Sequence, residues 1–269
     1  MKIIFLLTLT YLFCILLIFV FQRKIIYFPQ VLTLDQQIEL AASQELKLWP
    51  NEKQYLGLVS KTERLESKGT IIVFHGNAGS AINRSYYINA LENLGYRVIL
   101  AEYLGYGAKP GKPTEITLLE EADKIVTQAV NDFGLPLFLM GESLGSGVVS
   151  GLIKSTNHSI TGIALIMPFD SLANVAHHHY WFFLAKWLVQ DRFNNMTALQ
   201  NYHGNSAVIM AAKDQIIPNQ HTLKLFHTLP DPKKLWTFPS AGHNTLPLAP
   251  NEPWWKEVMS FIAEQDNLQ

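Results

Sequence analysis

The stretch Pro136-Leu137-Phe138-Leu139-Met140-Gly141-Glu142-Ser143-Leu144-Gly145 joins an apolar run to the pattern G-x-S-x-G. An amphipathic segment follows over residues 145–155, so the sequence predicts a strand that turns sharply into a helix. Such a turn exposes the hydroxyl of Ser143 at the carboxyl edge of a sheet, and the flanking glycines avoid collisions with the neighbouring strand and helix. The helix N-terminus carries partial positive charge, which favours an anion beside that hydroxyl. We therefore predict that Ser143 is a nucleophile; the alternative is an ordinary turn whose serine only caps the helix.

Two residues further along the chain are candidates for activating this hydroxyl. A serine is a poor nucleophile until a base takes its proton. His243 follows the last predicted strand and Asp214 follows the strand before it, so the chain order is Ser, Asp, His, as this motif requires. The pattern predicts that His243 is the base and that Asp214 orients its imidazole and stabilises the imidazolium. Asp170, at the end of the preceding predicted strand, is the alternative acid.

The loop His75-Gly76-Asn77-Ala78-Gly79-Ser80 closes the first apolar strand of the parallel set. A backbone N–H of this loop, together with that of Leu144, is placed to bind the oxyanion of a tetrahedral intermediate. We predict Asn77 as the donor in the loop. The alternative is a Gly-rich loop that caps a helix or cradles phosphate, but for phosphate the sequence has neither the Lys-Ser/Thr of a P-loop nor the pattern G-x-G-x-x-G.

Short apolar runs alternate with amphipathic segments along most of the chain. Continuous apolar strands separated by helices are typical of a parallel sheet that is covered on both faces. The sequence therefore predicts an α/β fold with a mostly parallel central sheet, two antiparallel edge strands (46–49 and 55–59) and helices on both faces. Residues 171–204, rich in aromatic and amide side chains, interrupt the alternation, and we predict a small helical cap there. The other predicted strands are 70–74, 97–101, 136–140, 162–167, 207–212 and 235–238, and the predicted helices are 84–94, 115–133, 145–155, 220–228 and 253–264.

An apolar run over residues 3–21 has only Thr8 and Thr10 as polar members. In a helix it spans about 28 Å, close to the hydrocarbon thickness of a bilayer. A secretory signal peptide has an apolar stretch of roughly 7–15 residues and a small-residue cleavage site, whereas this run is longer and ends in Phe19-Val20-Phe21-Gln22. We predict an uncleaved single-pass membrane anchor over residues 1–24, followed by a domain over 25–269; a cleaved signal peptide is the alternative. Basic residues flank the run on both sides, so the sequence predicts no orientation in the membrane.

The composition excludes several classes of protein. The 269 residues include 21 Lys and Arg against 22 Asp and Glu, a formal net charge of −1, and form no basic stripe, so a nucleic-acid partner is not expected. The single cysteine, Cys14, excludes a disulfide framework within the chain. His177-His178-His179 suggests a metal, but successive helical residues point about 100° apart and do not face one ion. We predict neither a metal site nor a cofactor.

With these motifs in place, the sequence resembles the α/β-hydrolase family, and most closely its membrane-anchored Bem-type branch, often labelled serine-aminopeptidase-like. The resemblance implies an eight-stranded, mostly parallel sheet and a catalytic triad of Ser143, Asp214 and His243. Some members of the branch remove palmitate from membrane proteins, so an acylated protein is one substrate class that the resemblance implies. The motifs that carry the resemblance are Tyr27-Phe28-Pro29, Phe74-His75-Gly76-Asn77-Ala78-Gly79, Gly141-Glu142-Ser143-Leu144-Gly145, Pro168-Phe169-Asp170-Ser171-Leu172 and Asp191-Arg192-Phe193.

These observations predict a membrane-anchored serine hydrolase that cleaves an ester or thioester through an acyl-enzyme intermediate. The expected substrate is a small-molecule or lipid-like acyl compound, because the anchor would hold the site near lipid. Two other hypotheses stay open: a membrane-associated serine peptidase of the aminopeptidase type, and a non-catalytic binding protein on a hydrolase fold.

Overall fold

Eight strands, most of them apolar runs, form one central sheet. The structure is a computed structural model and describes residues 1–62 and 66–264. The order across the sheet is β8-β7-β6-β5-β3-β4-β2-β1, with β2 antiparallel to both of its neighbours and every other pair parallel. This is the mostly parallel sheet that the sequence predicts. In chain order the strands are β1 (Leu46–Trp49), β2 (Gly57–Ser60), β3 (Thr70–Phe74), β4 (Arg97–Ala101), β5 (Leu137–Glu142), β6 (Gly162–Ile166), β7 (Asn205–Ala211) and β8 (Lys233–Phe238).

Helices cover both faces of this sheet. Alternate residues of β3 show the division, because Ile71 and Val73 join the core on one face, while Ile72 and Phe74 join the core on the other. Burial on both faces explains why the strands read as continuous apolar runs. The helices are α1 (Lys2–Ile26), α2 (Leu34–Ser43), α3 (Tyr86–Glu92), α4 (Glu115–Phe133), α5 (Leu144–Ser155), α6 (Leu172–Tyr180), α7 (Ala185–Leu188), α8 (Asn195–Leu199), α9 (Asn219–Thr228) and α10 (Pro253–Ala263).

The predicted helix over residues 84–94 differs from the observed structure. A 3₁₀ turn, Ala81–Arg84, comes first, and the α-helix begins only at Tyr86. The side chain of Asn83 accepts a hydrogen bond from the backbone N–H of Ser80 at 2.9 Å, which tightens this turn ahead of the helix. A periodicity argument does not detect such a local side-chain bond.

The helices α6, α7 and α8 form a cap between β6 and β7, within the predicted range 171–204. Beside the cap lies α1, which is long and apolar enough to cross a membrane. It runs to Ile26, two residues beyond the predicted boundary of the anchor. The chain then pairs Phe28–Pro29 with Ala78–Gly79 as a short parallel ladder, which ties the end of α1 to the loop that contains Asn77. Of the predicted domain 25–269, residues 63–65 and 265–269 lie outside the described part.

Candidate active site

Ser143 sits at the turn between β5 and α5, where the sequence places it. Its backbone φ is +51°, a conformation that L-residues rarely adopt and that costs on the order of 1–3 kcal/mol. Glycine is required on both sides because a Cβ on Gly141 would lie 2.5 Å from the carbonyl oxygen of Gly145, and one on Gly145 would lie 2.0 Å from that of Phe74. The strained turn holds the serine side chain out from the end of the strand.

Three side chains from distant parts of the chain meet at this turn. Nε2 of His243 lies 3.0 Å from Oγ of Ser143, and Nδ1 of the same imidazole lies 2.6 Å from Oδ2 of Asp214. The other oxygen of Asp214 accepts hydrogen bonds from the backbone N–H groups of Ile216 and Ile217 at 2.9 and 2.8 Å. These two bonds fix the carboxylate, which in turn fixes the orientation of the imidazole. The arrangement allows proton transfer from the serine hydroxyl to the imidazole.

The alternative acid, Asp170, lies at a different place. One of its oxygens accepts from Nδ1 of His221 at 2.9 Å, and the other from the side chains of Asn174 and Lys224 at 2.6 and 3.1 Å. Burial by itself raises the pKa of Asp170, but these partners together hold the pKa below its ordinary value. The carboxylate of Asp170 therefore stays ionised among partners on α6 and α9, while the imidazole of His243 faces Asp214.

The predicted oxyanion donors border the same cavity as the serine. Asn77 and Leu144 both line it together with Ser143. Leu144 is the first residue of α5, and the first N–H groups of a helix have no partner inside the helix. The loop around Asn77 is held rigidly: its carbonyl accepts from the hydroxyl of Tyr106 at 2.7 Å, and its side-chain amide donates to the carbonyl of Ile26 at 2.8 Å.

Glu142 is a supporting residue that the sequence pattern does not reveal. Both of its carboxylate oxygens accept hydrogen bonds from the guanidinium of Arg84, and one also accepts from the hydroxyls of Tyr86 and Tyr87 at 3.1 and 3.2 Å. These bonds connect the residue before Ser143 to the 3₁₀ turn that ends at Arg84 and to the first residues of α3. The sequence shows only that an acid occupies the second position of G-x-S-x-G, and its partner, 58 residues earlier, is not apparent from spacing.

The ion pair of Glu142 gives a testable dependence of stability on pH. Burial alone raises the pKa of Glu142, but Arg84, Tyr86 and His75 together outweigh burial and hold the pKa below the ordinary 4.5. The stabilisation is therefore complete above about pH 4.5 and is lost as the pH falls through the lower pKa of the folded state. We expect Glu142→Gln to cost about 3 kcal/mol at pH 7, or about 5–10 °C in Tm, and we expect this difference to shrink towards pH 3.

Thermal unfolding of the full chain in detergent from pH 7 to pH 3 measures this effect. The exposed Glu120 on α4 offers the matched control, Glu120→Gln, which should shift Tm by less than about 2 °C, as surface changes usually do. A Tm difference for Glu142→Gln that grows at low pH contradicts the assignment.

The cavity beside Ser143 has a volume of about 430 Å³, within the range of small-molecule sites. Its walls are largely apolar and come from three sources: the end of α1, the cap, and the turns at the end of the sheet. None of the described residues that line it is an aspartate or a glutamate. Representative lining residues are Ile18 and Ile25 from α1 and Leu172, Val175, Phe183 and Leu188 from the cap.

Two of the motifs quoted from the sequence contact each other. The hydroxyl of Tyr27 donates to Asp191 at 3.1 Å, and Arg23 forms an ion pair with the same carboxylate at 3.0 Å. Asp191 also accepts from the backbone N–H of Glu115 at the start of α4. The end of α1 is thus fixed to the cap and to the start of α4.

The three consecutive histidines have separate partners. The ring of His177 packs edge-on against Trp187, His178 contacts the side-chain amide of Gln220, and His179 contacts the carbonyl of Ile216. Within residues 1–62 and 66–264, no group of three or more His, Cys, Asp or Glu side chains is arranged to hold a metal ion.

Relatives of known sequence include proteins with and without a described activity. An uncharacterized protein of Mycobacterium tuberculosis is 27% identical over 248 residues, which cover 90% of this chain and 88% of that one. Protein bem46 of Schizosaccharomyces pombe is 24% identical over 227 residues, 78% of this chain and 72% of its own. Lysophosphatidylserine lipase ABHD12 of Danio rerio is 28% identical over 188 residues, 63% of this chain and 49% of its own.

Solved structures share the fold. Esterase Pf2001 of Pyrococcus furiosus superposes with a TM-score of 0.60 at 18% identity, covering 81% of this chain and 87% of that one. The monoacylglycerol lipase of Paleococcus ferrophilus gives a TM-score of 0.56 at 20% identity, covering 74% of this chain and 95% of the lipase. Both likenesses establish an α/β-hydrolase fold.

The family described as "Serine aminopeptidase, S33" matches residues 65–208, which is more than half of the chain and contains the turn at Ser143. The match covers strands β3 to β6, the cap and the beginning of β7. Together with the likeness to bem46, it identifies the chain as a member of this α/β-hydrolase family, on its Bem-type branch.

Proposed function

We propose that this protein is a membrane-anchored serine hydrolase that cleaves an ester or thioester of an apolar acyl group, with residues 1–24 as the anchor and 25–269 as the hydrolase domain. The observation that carries the proposal is the contact of His243 with both Ser143 and Asp214, at 3.0 and 2.6 Å. Distances of this kind are those expected of a nucleophile, its general base and the residue that orients the base.

The reaction proceeds in two halves. Oγ of Ser143 attacks the carbonyl carbon, and Nε2 of His243 takes the hydroxyl proton. The tetrahedral oxyanion is bound by the N–H groups of Asn77 and Leu144, and it collapses as the bond to the leaving oxygen or sulfur breaks and His243 returns the proton to that atom. Water then attacks the acyl-enzyme with His243 as base, and the proton returns to Ser143 as the acid is released. Asp214 stabilises the imidazolium in both halves, and no step requires a metal or a cofactor.

The cavity supports an acyl substrate. Its apolar walls favour a hydrocarbon chain, and burying each CH₂ of such a chain contributes about 0.8 kcal/mol. The names of two similar proteins, a lysophosphatidylserine lipase and a monoacylglycerol lipase, are consistent with a lipid-like substrate.

The family's description also suggests a second candidate function, an aminopeptidase. Such an enzyme must hold the free ammonium group of its substrate next to the scissile bond, and a carboxylate is the usual partner for a buried ammonium. The described lining of the cavity contains no Asp or Glu, so the acyl substrate fits better.

A comparison of substrates tests the proposal. For the full chain in detergent, we expect kcat/KM for a twelve-carbon ester and a twelve-carbon thioester to exceed that for an aminoacyl amide by at least about 10²-fold, since hydrocarbon burial favours the former and an unpaired ammonium disfavours the latter. The reverse order favours the peptidase. A folded protein that turns over none of the three favours a non-catalytic binding role.

A further inference from the structure

The helix α1 contributes directly to the cavity that holds Ser143. Ile18, Phe19, Gln22, Ile25 and Ile26 line this cavity, and their spacing places them along one side of the helix. Phe19 and Ile25 are themselves 39% and 48% exposed and lie at the edge of the cavity. On the same helix, Leu12, Leu16, Leu17 and Val20 are exposed and do not line the cavity. The anchor therefore has two different faces, one towards the cavity and one away from the protein.

Polar contacts hold α1 along the cap at several levels. The hydroxyl of Tyr11 donates to the carbonyl of Phe182 at 2.6 Å. About three helical turns further along α1, the buried side chain of Gln22 donates to the carbonyl of Leu188 and accepts from the backbone N–H of Gln190. Gln22 lies eleven positions after Tyr11, a rise of about 16 Å along the helix and roughly half of the hydrocarbon thickness of a bilayer. A helix that spans the bilayer thus brings the cap alongside its C-terminal half.

The part of the cap that contacts this half of α1 is unusually apolar on its outside. We call residues 180–188 the cap strap. Several of its large apolar side chains are solvent-exposed, Trp181 by 65% and Trp187 by 66%. Exposed tryptophan and phenylalanine beside a membrane-crossing helix are typical of the bilayer interface, and only Lys186 in the strap carries a formal charge. The strap therefore continues the apolar surface of α1.

We propose that the anchor helix is a wall of the acyl-binding site, and that the acyl chain of a membrane lipid reaches Ser143 directly from the leaflet in which α1 and the cap strap lie. The inference rests on the proposed function for the reaction itself, but it adds the source of the substrate and the residues that select it. In this arrangement α1 does more than tether the enzyme, because removing or reshaping its cavity face changes which acyl chains fit.

The proposal that α1 forms a wall of the acyl-binding site is tested by the enzyme's preference for acyl-chain length. Ile18→Trp places a larger side chain in the cavity, and Leu17→Trp makes the same change on the exposed face of the helix. For the full chain in detergent, we expect Ile18→Trp to lower the ratio of kcat/KM for a twelve-carbon p-nitrophenyl ester to that for a four-carbon ester by at least about tenfold, since even one methylene in an apolar pocket is worth roughly 10–200-fold. Leu17→Trp should leave the ratio within about twofold of wild type. An unchanged ratio in Ile18→Trp, or an equal fall in Leu17→Trp, overturns the proposal while leaving the hydrolase assignment intact.

A second measurement does not depend on turnover. The full-length Ser143→Ala protein is placed in phosphatidylcholine vesicles in which the acyl chain carries a diazirine, and adducts are mapped by mass spectrometry after irradiation. We expect adducts on Phe169, which is buried but lines the cavity, and on Trp181 in the strap. Adding Ile18→Trp should reduce the adduct on Phe169 selectively. Adducts confined to outward-facing residues such as Leu12 and Leu16 contradict entry from the leaflet and favour a protein partner for the strap.

Discussion

Replacing Ser143 with alanine is expected to lower kcat for a twelve-carbon ester by about 10⁴- to 10⁶-fold, with the fold retained. The change removes only the hydroxyl that lies 3.0 Å from His243, and alanine keeps the same strained backbone, with φ at +51°. The residual rate over water would come from substrate binding and from the proposed oxyanion donors, which the substitution leaves in place. Steady-state rates of the purified full-length proteins, together with their thermal unfolding, provide the measurement.

A glycine at position 143 distinguishes the loss of the hydroxyl from the cost of the strained backbone. Ser143→Gly should be as inactive as Ser143→Ala, but it should unfold at a higher temperature, because glycine adopts a positive φ without the steric cost that a Cβ brings. Since the strain is on the order of 1–3 kcal/mol and the entropic cost of glycine is about 0.5–1 kcal/mol, the glycine variant should be more stable by about 1 kcal/mol. Substantial activity in both variants would show that a residue other than Ser143 is the nucleophile.

Replacing Asp214 with asparagine is expected to lower kcat by about 10⁴-fold. The amide has nearly the shape of the carboxylate, but it neither stabilises the imidazolium of His243 nor enforces the tautomer that leaves Nε2 free to accept the proton of Ser143. The backbone N–H groups of Ile216 and Ile217 still find an oxygen acceptor, so the turn should persist.

Asp170→Asn is the matched control for this variant. Asp170 follows the neighbouring strand and is equally an aspartate at the carboxyl edge, but it pairs with His221 and Lys224. Its replacement should lower the melting temperature, because a buried charged network loses one partner, while kcat of the folded protein should stay within about threefold of wild type. A large loss of kcat in Asp170→Asn with little loss in Asp214→Asn would exchange the two roles.

Much of the fold follows from local patterns in the sequence. Continuous apolar runs identify β3 to β7, because burial on both faces of a parallel sheet leaves no alternation to obscure them. The edge strand β8 is less apolar, and only Trp236 in it is buried. Ser143, Asp214 and His243 are recognisable for a related reason: each follows a predicted strand, and the carboxyl ends of parallel strands meet at one edge of the sheet. Such placement is fixed by topology, so it can be inferred without knowing which side chains touch.

Other features of the site depend on pairings between side chains that no spacing specifies. The carboxylate of Glu142 pairs with the guanidinium of Arg84, which lies just before α3, and the side chain of Asn77 donates to the carbonyl of Ile26 at the end of α1. Both interactions join segments with no shared period or order, so the sequence alone does not indicate them. The sequence does not predict the contribution of α1 to the cavity for another reason. The helix is apolar on all sides, so its hydrophobicity predicts membrane insertion but does not indicate which face lies against the cap.

The most direct test of the central claim is to identify the residue that an active-site reagent modifies. The full-length protein is treated with an alkyl fluorophosphonate, digested, and analysed by mass spectrometry. An activated serine hydroxyl attacks phosphorus and displaces fluoride, so we predict a single stable adduct on Ser143. We expect His243→Ala to lower the rate at which this adduct forms by at least about a hundredfold. A folded wild-type protein that forms no adduct, or one that is modified at a different serine, would contradict the assignment.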